Sequence, residues 1–321
     1  MLDFLENYEL KTSKLHEKIE FLIEGILPKK LITIIYANGG SGKSFLSLAL
    51  AKELKKSALV KKVVYIDLDN PLNVLVERNI ENLIDCKLTY IHRSSLSNTT
   101  PMELLCAIEE KALGNAYEGV VFILDSLRNF TDIDNDSKAM RLMNVLMNIR
   151  EAGGSILCLH HSNKDGRNFK GSNHIHNSAD CMLSLSRLEG LNLLITPTKE
   201  RVGLKKQALS IDPFSLELKE VNERIISMNE REREFAKSVK EILAGREVAQ
   251  SQILLALGYE KDHQWARKTL GEFEGVFWEC RVEKNKKLFY LMNEAHHYHH
   301  YHHYHHNPIE KGLESGEGGG E

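Results

Sequence analysis

The chain has 321 residues, a formal net charge of −3 and an apolar fraction of 42%, enough for one large and one small domain with ordinary cores. The net charge argues against a protein that binds polyanions over its whole surface, although it permits a local basic patch. The five cysteines are scattered and form no CxxC pair, so we expect reduced thiols. No apolar run approaches the roughly 18 residues of a membrane span, and the N-terminal MLDFLENYELK lacks a signal-peptide pattern. We therefore expect a cytoplasmic protein without membrane contact.

The first part of the chain alternates between predicted strands and helices. Residues 1–30 form a predicted helical lead-in that ends near Pro28. From residue 31 to residue 212 the predicted strands are LITIIY, VVYID, LTYIH, VVFILD, SILCLHH, CMLSLS, LNLLITP and ALSID, and the predicted helices span Lys43–Lys55, Pro71–Leu83, Pro101–Leu113 and Ser137–Glu151. The alternation predicts an α/β fold with a mostly parallel sheet and flanking helices. Short turns between the last three strands predict an antiparallel extension at one edge.

The last part of the chain has a different pattern. Residues 213–233 are polar and are predicted to be a linker. Residues 234–293 predict three helices followed by a hairpin, the pattern of a small winged-helix domain. The third helix of such a domain often enters the major groove of DNA, and here it carries Arg267 and Lys268. DNA binding and protein docking both remain open. Residues 294–321, His/Tyr-rich and then Gly/Glu-rich, predict a disordered tail that binds Ni²⁺ or Zn²⁺ loosely at most.

The stretch YANGGSGKSF follows the first strand of the α/β region and precedes its first helix. It matches the phosphate-loop pattern GxxxxGK[ST], with alanine in place of the first glycine. Backbone N–H groups of such a loop point at phosphate oxygens, and the following helix adds its N-terminal dipole. The lysine would reach the β- and γ-phosphates of a nucleoside triphosphate. The predicted nucleotide-binding residues are Ala37, Asn38, Gly39, Gly40, Ser41, Gly42, Lys43, Ser44 and Phe45.

A phosphate loop needs a second group for its Mg²⁺ ion. The apolar run in YEGVVFILDSL ends at Asp125, and a buried strand that stops at an aspartate places the carboxylate at the C-terminal edge of the sheet. That edge is where the phosphate loop lies. We therefore predict Ser44, through its hydroxyl, and Asp125 as the metal-binding residues.

The order of motifs along the chain resembles that of the RecA-like ATPases. The motifs are the phosphate loop, YIDLDNP, VVFILDS, LCLHHSNK, KGSNHIHNSAD and TPTKERVG. The nearest resemblance is to the RepA-type hexameric replicative helicases of plasmids and mobile elements, and it covers residues 20–215. It implies a RecA-like core over residues 31–212 that uses ATP and Mg²⁺. It also implies a homo-oligomeric, hexameric ring that acts on single-stranded DNA.

The resemblance also implies roles for single residues. In that family a glutamate four residues after a strand tyrosine orients the attacking water, and counting from Tyr65 leads to Asp69, which is one methylene shorter. Asp67 is the competing candidate for this base. Arg78 matches a family arginine on the next helix. His161 takes the position of a γ-phosphate sensor, because a neutral imidazole can donate one hydrogen bond to a phosphate oxygen. The pair of adjacent histidines is also compatible with a metal site, though neither cysteine nor carboxylate lies at ligand spacing.

Two basic segments complete the resemblance. The loop SNKDGRNFKGS follows the sensor strand and carries Lys164, Arg167 and Lys170, which would contact the DNA backbone in a central channel. In TPTKERVG, Lys199 and Arg201 match a K-x-R motif that reaches the nucleotide of a neighbouring subunit. Residues two apart on a strand face the same side, so both would point at one γ-phosphate, where arginine stabilises charge in the transition state. A single subunit would then have an incomplete site.

From the sequence we expect an ATP-driven DNA helicase or translocase in plasmid or mobile-element replication. The alternative is a P-loop regulatory or loading factor, in which ATP binding switches assembly and the winged helix recognises DNA or a partner protein. The aspartate at the catalytic position and the near-neutral charge favour this alternative somewhat. The predicted catalytic residues are Lys43, Asp69, Asp125, His161, Lys199 and Arg201, and the predicted nucleic-acid contacts are Lys164, Arg167, Lys170, Arg267 and Lys268.

Overall fold

A nine-stranded sheet and a three-stranded sheet organise the two units into which the computed structural model of the chain divides. The units span Met1–Ile226 and Ser227–Glu321, and the structure describes residues 9–10, 12, 18–163 and 169–292. The His/Tyr-rich tail, which we predicted to be disordered, lies outside the described residues. Lys164 and Arg167 also lie outside them.

A β-hairpin precedes the large sheet, where we predicted a helical lead-in. Strand β1 (Phe21–Ile23) pairs antiparallel with strand β2 (Leu27–Pro28). Gly25 in the connecting turn has a φ of 69°, a conformation that glycine adopts without a steric penalty. Leu22 and Leu27 are buried, so this part of the predicted helical lead-in is a hairpin that packs on the core.

The large sheet contains nine strands, of which six are parallel. The strands are β3 (Ile32–Ala37), β4 (Lys62–Asp67), β5 (Leu88–His92), β6 (Val120–Asp125), β7 (Ser155–His161), β8 (Cys181–Arg187), β9 (Asn192–Lys199), β10 (Gln207–Ile211) and β11 (Leu218–Val221). Their order across the sheet is β11-β10-β9-β8-β3-β7-β6-β4-β5. Strands β3 to β8 run parallel, and β9, β10 and β11 each run antiparallel to their neighbours. The predicted mostly parallel sheet is confirmed, although the antiparallel extension begins one strand later than expected.

Helices cover both faces of this sheet. They are α1 (Lys43–Lys56), α2 (Leu72–Glu77), α3 (Pro101–Glu109), α4 (Asp136–Glu151), α5 (Asn173–Ser178) and α6 (Glu223–Ile226). Helix α1 buries Leu46 and Leu50 in one apolar cluster, whereas α4 buries Leu142 and Leu146 in the cluster on the opposite face. Burial on both faces explains why the central strands read as continuous apolar runs. No helix in the described part of the chain is long and apolar enough to cross a bilayer.

The predicted helix Pro71–Leu83 is interrupted. Helix α2 ends at Glu77, and Asn79 has a φ of 52°, in the left-handed region. An α-helix of L-residues cannot continue through that conformation. A single 3₁₀ turn, Ile80–Asn82, follows. The apolar spacing therefore predicted the buried positions but not the break.

The C-terminal ends of four parallel strands meet at one edge of the sheet. The register pairs Ala37 at the end of β3 with His161 of β7. It also pairs Asp67 of β4 with Asp125 of β6. Because parallel strands bring their following loops to the same edge, the phosphate loop, both aspartates and the histidine are neighbours.

The described part of the second unit, residues 227–292, contains three helices and a small antiparallel sheet. Its elements are α7 (Glu230–Leu243), β12 (Val248–Ala249), α8 (Gln250–Ala256), α9 (Gln264–Glu272), β13 (Trp278–Glu283) and β14 (Lys286–Leu291), with strand order β12-β14-β13. Lys284 and Asn285 both have positive φ, as a two-residue hairpin turn requires. The Trp278 indole is buried and donates to the Leu270 carbonyl oxygen at 2.9 Å. Trp265 packs its ring against the Arg231 guanidinium, 3.8 Å from the ring centroid.

Residues 213–233, which we predicted to be a linker, contain β11, α6 and the start of α7. Strand β11 is the edge strand of the large sheet, with Glu220 opposite Leu209 of β10. Lys219 and Glu220 are exposed, as charged residues commonly are on edge strands. Because of this polar composition, the hydrophobic pattern of the sequence did not predict the strand.

Candidate functional site

The phosphate loop connects the end of β3 at Ala37 to the start of α1 at Lys43. Gly40 and Gly42 have φ values of 72° and 89°, a conformation that strains any residue with a Cβ atom. A Cβ added at Gly39 or Gly40 would meet no heavy atom within 4 Å, so this side of the loop is bare backbone. The first amides of α1 have no intrahelical acceptor, and the helix dipole favours negative charge there. The loop therefore has the geometry in which helix starts bind phosphate.

Lys43 is buried inside the phosphate loop, with 8% of its surface exposed. Its ammonium group donates hydrogen bonds to the carbonyl oxygens of Ala37 and Asn38 at 2.9 and 2.8 Å. Burial lowers the pKa of Lys43, and the negative charges of Asp125 and Asp69 counteract that effect. The lysine is thus a cation held within the loop and within the field of two carboxylates.

Asp125 and Ser44 provide the oxygen ligands that a metal ion at this loop requires. Asp125 is buried at the end of β6 and is hydrogen-bonded to the Ser44 side chain. Burial, followed by the nearby charge of Asp67, raises the pKa of Asp125 to about 6. A carboxylate and a hydroxyl are hard oxygen donors, so the residues present fit Mg²⁺. The described residues contain no group of three or more His, Cys, Asp or Glu side chains able to hold a metal ion, so Mg²⁺ here would take its other ligands from phosphate and water.

Asp67, the competing candidate for the catalytic base, is occupied by structural hydrogen bonds. Its Oδ1 accepts the backbone N–H groups of Asp69 and Asn70, both at 3.0 Å. Its Oδ2 accepts the Tyr90 hydroxyl at 2.6 Å and the Asn70 amide at 3.0 Å. The carboxylate is fully buried. These contacts make Asp67 the centre of the turn after β4 rather than a group that faces a ligand.

Asp69 lies on the exposed side of the same turn. Its Oδ1 accepts hydrogen bonds from Arg128 and Asn129, both at 3.0 Å. Burial alone would raise the pKa of Asp69, but the hydrogen bonds from Asn129 and Arg128 outweigh it and hold that pKa below its ordinary value. Asp69 is therefore ionised at neutral pH, and of the two aspartates it has the geometry of a group that can contact a bound ligand.

The two histidines at the end of β7 have different environments. His161 is half-buried, and its Nε2 atom is buried without a hydrogen-bond partner among the described residues. Burial, then the positive charges of Lys43 and Arg128, lowers the pKa of His161 to about 4, so the ring is neutral at physiological pH. His160 is fully buried, and its Nε2 contacts the Lys170 carbonyl oxygen. The charge of Lys43 acts on both rings, but His161 is the one that lines the cavity beside Asn38 of the phosphate loop.

A cavity of about 730 Å³ opens in front of the phosphate loop. Asn38, Arg128, His161 and Lys170 are among its lining residues. Lys170 is exposed, and its backbone N–H donates to the His161 carbonyl oxygen at 3.0 Å. Of the three predicted DNA-contacting residues in this loop, Lys170 is the one within the described residues, and it lies beside the nucleotide-binding end of the sheet.

Several contacts at the site involve residues that the sequence motifs did not single out. Arg128 follows Asp125 by three residues and reaches back to Asp69. The Ser162 hydroxyl donates to Asn38 Oδ1, which joins the end of β7 to the phosphate loop. Arg128 lies in the turn directly after β6, so the strand end that identified Asp125 also indicated the region of Arg128. No local pattern points to Ser162, because its partner is 124 residues away in the chain.

Arg78 contacts two residues around the phosphate loop. Its guanidinium lies over the Phe45 ring, 4.7 Å from the centroid, and donates to Asn70 Oδ1 at 3.0 Å. Asn70 in turn donates to Asp67. The arginine therefore joins the first turn of α1 to the turn after β4, which is a structural connection.

Lys199 and Arg201 lie towards the opposite edge of the sheet from the phosphate loop of their own chain. Lys199 pairs with Met182, which pairs with Ile34 of β3, so Lys199 is three residues, about 10 Å, below Ala37. Its ammonium donates to carbonyl oxygens at the end of α5, including that of Ala179 at 2.7 Å. Because β9 ends at Lys199, the expectation that the two side chains share one strand face does not hold for Arg201.

Arg201 belongs to a cluster around a buried carboxylate. Asp180, 1% exposed, lies 3.3 Å from the Arg201 guanidinium. It also accepts two hydrogen bonds from Arg150, at 3.0 and 2.9 Å, and one from the Ile32 backbone at 2.9 Å. The Arg201 side chain remains 58% exposed. It is thus anchored at one point and open to solvent elsewhere.

In the second unit, a cleft of about 480 Å³ brings together Lys261, Arg267, Lys286 and Lys287. The other residue predicted to contact nucleic acid, Lys268, is exposed on α9 and lies 3.6 Å from Glu272, with which it forms an i,i+4 pair. The cleft is therefore a concentration of positive charge within a unit that also contains many acidic residues.

Comparisons with known proteins give a family model and a solved structure that are similar to parts of this chain. A family model described as "AAA domain" matches residues 11–167, which include the phosphate loop and Asp125. No curated protein matches the chain at a significant level. Among solved structures, the chain is similar to the flagellar accessory protein FlaH from Methanocaldococcus jannaschii, with 19% sequence identity and a TM-score of 0.44 over 61% of this chain and 91% of that one.

The site and the sheet support one conclusion about the core. A buried lysine within a glycine-rich loop, a hydroxyl at the helix start and a strand-end carboxylate are the groups that bind phosphate and Mg²⁺ in P-loop sites. The mostly parallel sheet with helices on both faces fits a RecA-like fold, and the matching family model covers the same loop. The core of this chain therefore has the loop, the strand-end carboxylate and the sheet that are typical of P-loop domains, and it is similar to the AAA domain over residues 11–167.

Proposed function

We propose that this protein is an ATP-driven DNA helicase or translocase that works as a ring of identical subunits in the replication of a plasmid or another mobile element. The observation that carries the proposal is the position of Arg201. Its side chain is exposed towards the sheet edge opposite its own phosphate loop. Hydrolysis that depends on this arginine therefore requires a second copy of the chain.

Within one subunit, four side chains have complementary parts in the proposed hydrolysis. Lys43 neutralises charge on the phosphate tail, and Ser44 and Asp125 hold Mg²⁺, which supplies further charge neutralisation at the phosphates. Asp69, ionised at neutral pH, accepts the proton of the attacking water or orients it. His161, neutral and with a buried nitrogen lacking a partner, has the hydrogen-bonding capacity to report on the γ-phosphate.

The proposed ring assigns Arg201 to the nucleotide of the neighbouring subunit. An arginine supplied in trans stabilises the transition state of phosphoryl transfer and is worth roughly 10³- to 10⁵-fold in rate. The three carbonyl contacts of Lys199 favour a role for Lys199 in holding α5 and the end of β9. Lys199 remains part of the proposed motif, but Arg201 is the residue we expect to enter the neighbouring site.

Two regions are proposed to contact DNA. Lys170, with Lys164 and Arg167 of the same loop, would contact the strand in the ring channel. We also propose that residues 227–292 form a winged helix, because a helix, a short strand, two helices and a hairpin follow in order and the short strand pairs with the last one. The basic cleft around Arg267 favours nucleic acid over protein as its ligand.

The second candidate function is an ATP-switched regulatory or loading factor. Asp69 is shorter than the family glutamate and shares one oxygen with Arg128 and Asn129. Such a restrained carboxylate favours slow hydrolysis, which suits a switch whose bound ATP controls assembly.

The decisive experiment measures ATP hydrolysis with and without single-stranded DNA, followed by strand displacement on a forked duplex. Hydrolysis stimulated by DNA together with unwinding supports the motor. Nucleotide-dependent assembly without unwinding supports the regulator. Light scattering with a non-hydrolysable ATP analogue tests the ring directly, and a persistent monomer would contradict a trans-acting Arg201.

A mixing experiment tests whether Arg201 acts on the nucleotide of a neighbouring subunit or on that of its own chain. The variant Lys43→Ala lacks a working phosphate loop but keeps Arg201, whereas Arg201→Ala has the opposite defect. We expect each variant alone to be inactive and an equimolar mixture to regain part of the activity, since some interfaces then combine both intact residues. A mixture as inactive as its components would mean that the arginine acts within its own chain or not at all. The variant Lys56→Ala, on the exposed end of the same helix as Lys43, serves as the control.

A further inference from the structure

Two stacked tyrosines lie beneath the candidate site and contact different carboxylates. The rings of Tyr65 in β4 and Tyr90 in β5 are 4.9 Å apart with an interplanar angle of 9°. The Tyr65 hydroxyl donates to Asp125 Oδ2 at 3.2 Å, whereas the Tyr90 hydroxyl donates to Asp67 Oδ2 at 2.6 Å. The two residues are thus chemically alike and adjacent, but only Tyr65 contacts the residue that we assign to Mg²⁺.

The Tyr65 hydroxyl has a second neighbour on the phosphate-loop helix. Ser47 Oγ lies 2.6 Å from the Tyr65 oxygen, and both residues are fully buried. An ionised carboxylate has no proton to give, so the phenol proton points at Asp125 and the serine proton points at the phenol oxygen. The chain of donors therefore runs from Ser47 through Tyr65 to Asp125.

This chain connects the two elements that supply the metal ligands. Ser44 is on the first turn of α1, and Ser47 is three residues later. The Ser47 hydroxyl also donates to the Ser44 carbonyl oxygen at 3.0 Å, so its one proton is shared between that oxygen and the phenol. Asp125 is at the end of β6, two strands from β3 in the sheet. The buried phenol spans the gap between helix and strand and fixes one oxygen of Asp125. Burial raises the pKa of Tyr65, so its hydroxyl remains a donor at any physiological pH.

We propose that Tyr65, oriented by Ser47, is a positioning residue that holds the Asp125 carboxylate in register with the Ser44 hydroxyl for binding of Mg²⁺ with ATP. The proposal rests on the proposed ATP-Mg²⁺ function of the site. Hydrogen bonds to metal-ligating carboxylates fix their orientation, and loss of such a bond costs about 10- to 100-fold in metal affinity.

The test compares Tyr65→Phe with the matched control Tyr90→Phe. Each change removes one buried hydroxyl and keeps the stacked ring, but the control affects Asp67 instead of Asp125. Binding of a fluorescent ATP analogue is titrated with Mg²⁺, and then measured in excess chelator. We expect Tyr65→Phe to raise the Mg²⁺ concentration for half-maximal binding about tenfold while metal-free binding is unchanged, and Tyr90→Phe to leave both unchanged.

The possible results separate this inference from the proposed function. Mg²⁺-dependent binding in the wild type with an unshifted Tyr65→Phe variant, or equal shifts in both variants, would overturn the positioning role alone. A wild type whose ATP binding ignores Mg²⁺ would overturn both. If Tyr65→Phe fails to fold, Ser47→Ala replaces it, since that change keeps Tyr65 and removes its serine neighbour, together with the hydroxyl contact to the Ser44 carbonyl oxygen. We expect a shift in the same direction of roughly threefold, and no shift would reject the proposal.

Discussion

The ion cluster around Asp180 gives a quantitative prediction about stability. The variant Asp180→Asn keeps the shape of the side chain but removes the charge that faces Arg150. Breaking a buried ion pair by removing one partner costs about 3–5 kcal/mol. Arg150 is 19% exposed and keeps its contact with Glu151, so the lower end applies. We expect Asp180→Asn to reduce the free energy of unfolding by about 3 kcal/mol.

Arg201→Ala provides the contrast within the same cluster. Arg201 contacts Asp180 at a single distance of 3.3 Å and is more than half exposed. Solvent-exposed ion pairs contribute about 0–1 kcal/mol, so this variant should unfold with nearly wild-type stability. The combination matters because a stable Arg201→Ala protein that has lost hydrolysis must have lost it for chemical reasons.

Urea unfolding followed by far-ultraviolet circular dichroism measures both values. The urea concentrations at half-unfolding are compared only if the free energy of unfolding falls with urea at the same slope in each protein. An unchanged slope indicates that the surface exposed on unfolding is unchanged. A loss below about 1 kcal/mol for Asp180→Asn would contradict the reasoning, since a buried charge without its partner must cost more. So would an Arg201→Ala protein as unstable as Asp180→Asn.

Three further outcomes are expected for the site. Lys43→Ala should reduce ATP hydrolysis by about 100-fold or more, measured as phosphate release, while Lys56→Ala matches the wild type. Asp69→Asn should reduce kcat by about 10²- to 10⁴-fold with ATP affinity nearly unchanged in equilibrium binding; retained turnover would exclude Asp69 as the base. Mg²⁺-dependent nucleotide binding should weaken as the pH falls through about 6, because the ionised form of Asp125 binds the cation and its pKa is raised to that value. A flat profile across this range in a binding titration would contradict that assignment.

The parallel part of the sheet could be predicted because its strands are buried on both faces. Strand β6 was predicted with its observed bounds, Val120–Asp125, and the carboxylate at its end followed from the rule that loops after parallel strands share one edge. The edge strand β11 was missed for the converse reason. Its four residues, Leu-Lys-Glu-Val, contain two adjacent charged side chains and no continuous apolar run, so no local pattern distinguishes this strand from a linker.

The predicted site residues divide in the same way. Lys43, Ser44 and Asp125 come together because a loop, a helix start and a strand end determine their positions locally. The distinction between Asp67 and Asp69 was not accessible from spacing, because it depends on Tyr90 of β5 and on Arg128 in the turn after β6. The hydrogen-bond partners of the Lys199 ammonium are likewise at the end of α5. They could not be predicted from the sequence, because this six-residue helix has no strong apolar period.

Both tryptophans of the chain, Trp265 and Trp278, lie in the second unit. Emission after selective tryptophan excitation therefore reports on that unit, because the first unit contains no tryptophan. Trp278 is enclosed and hydrogen-bonded, and Trp265 is covered by a guanidinium, so a red shift would signal the opening of that small core. The protein thus contains a native optical reporter that needs no label and no engineered fluorophore.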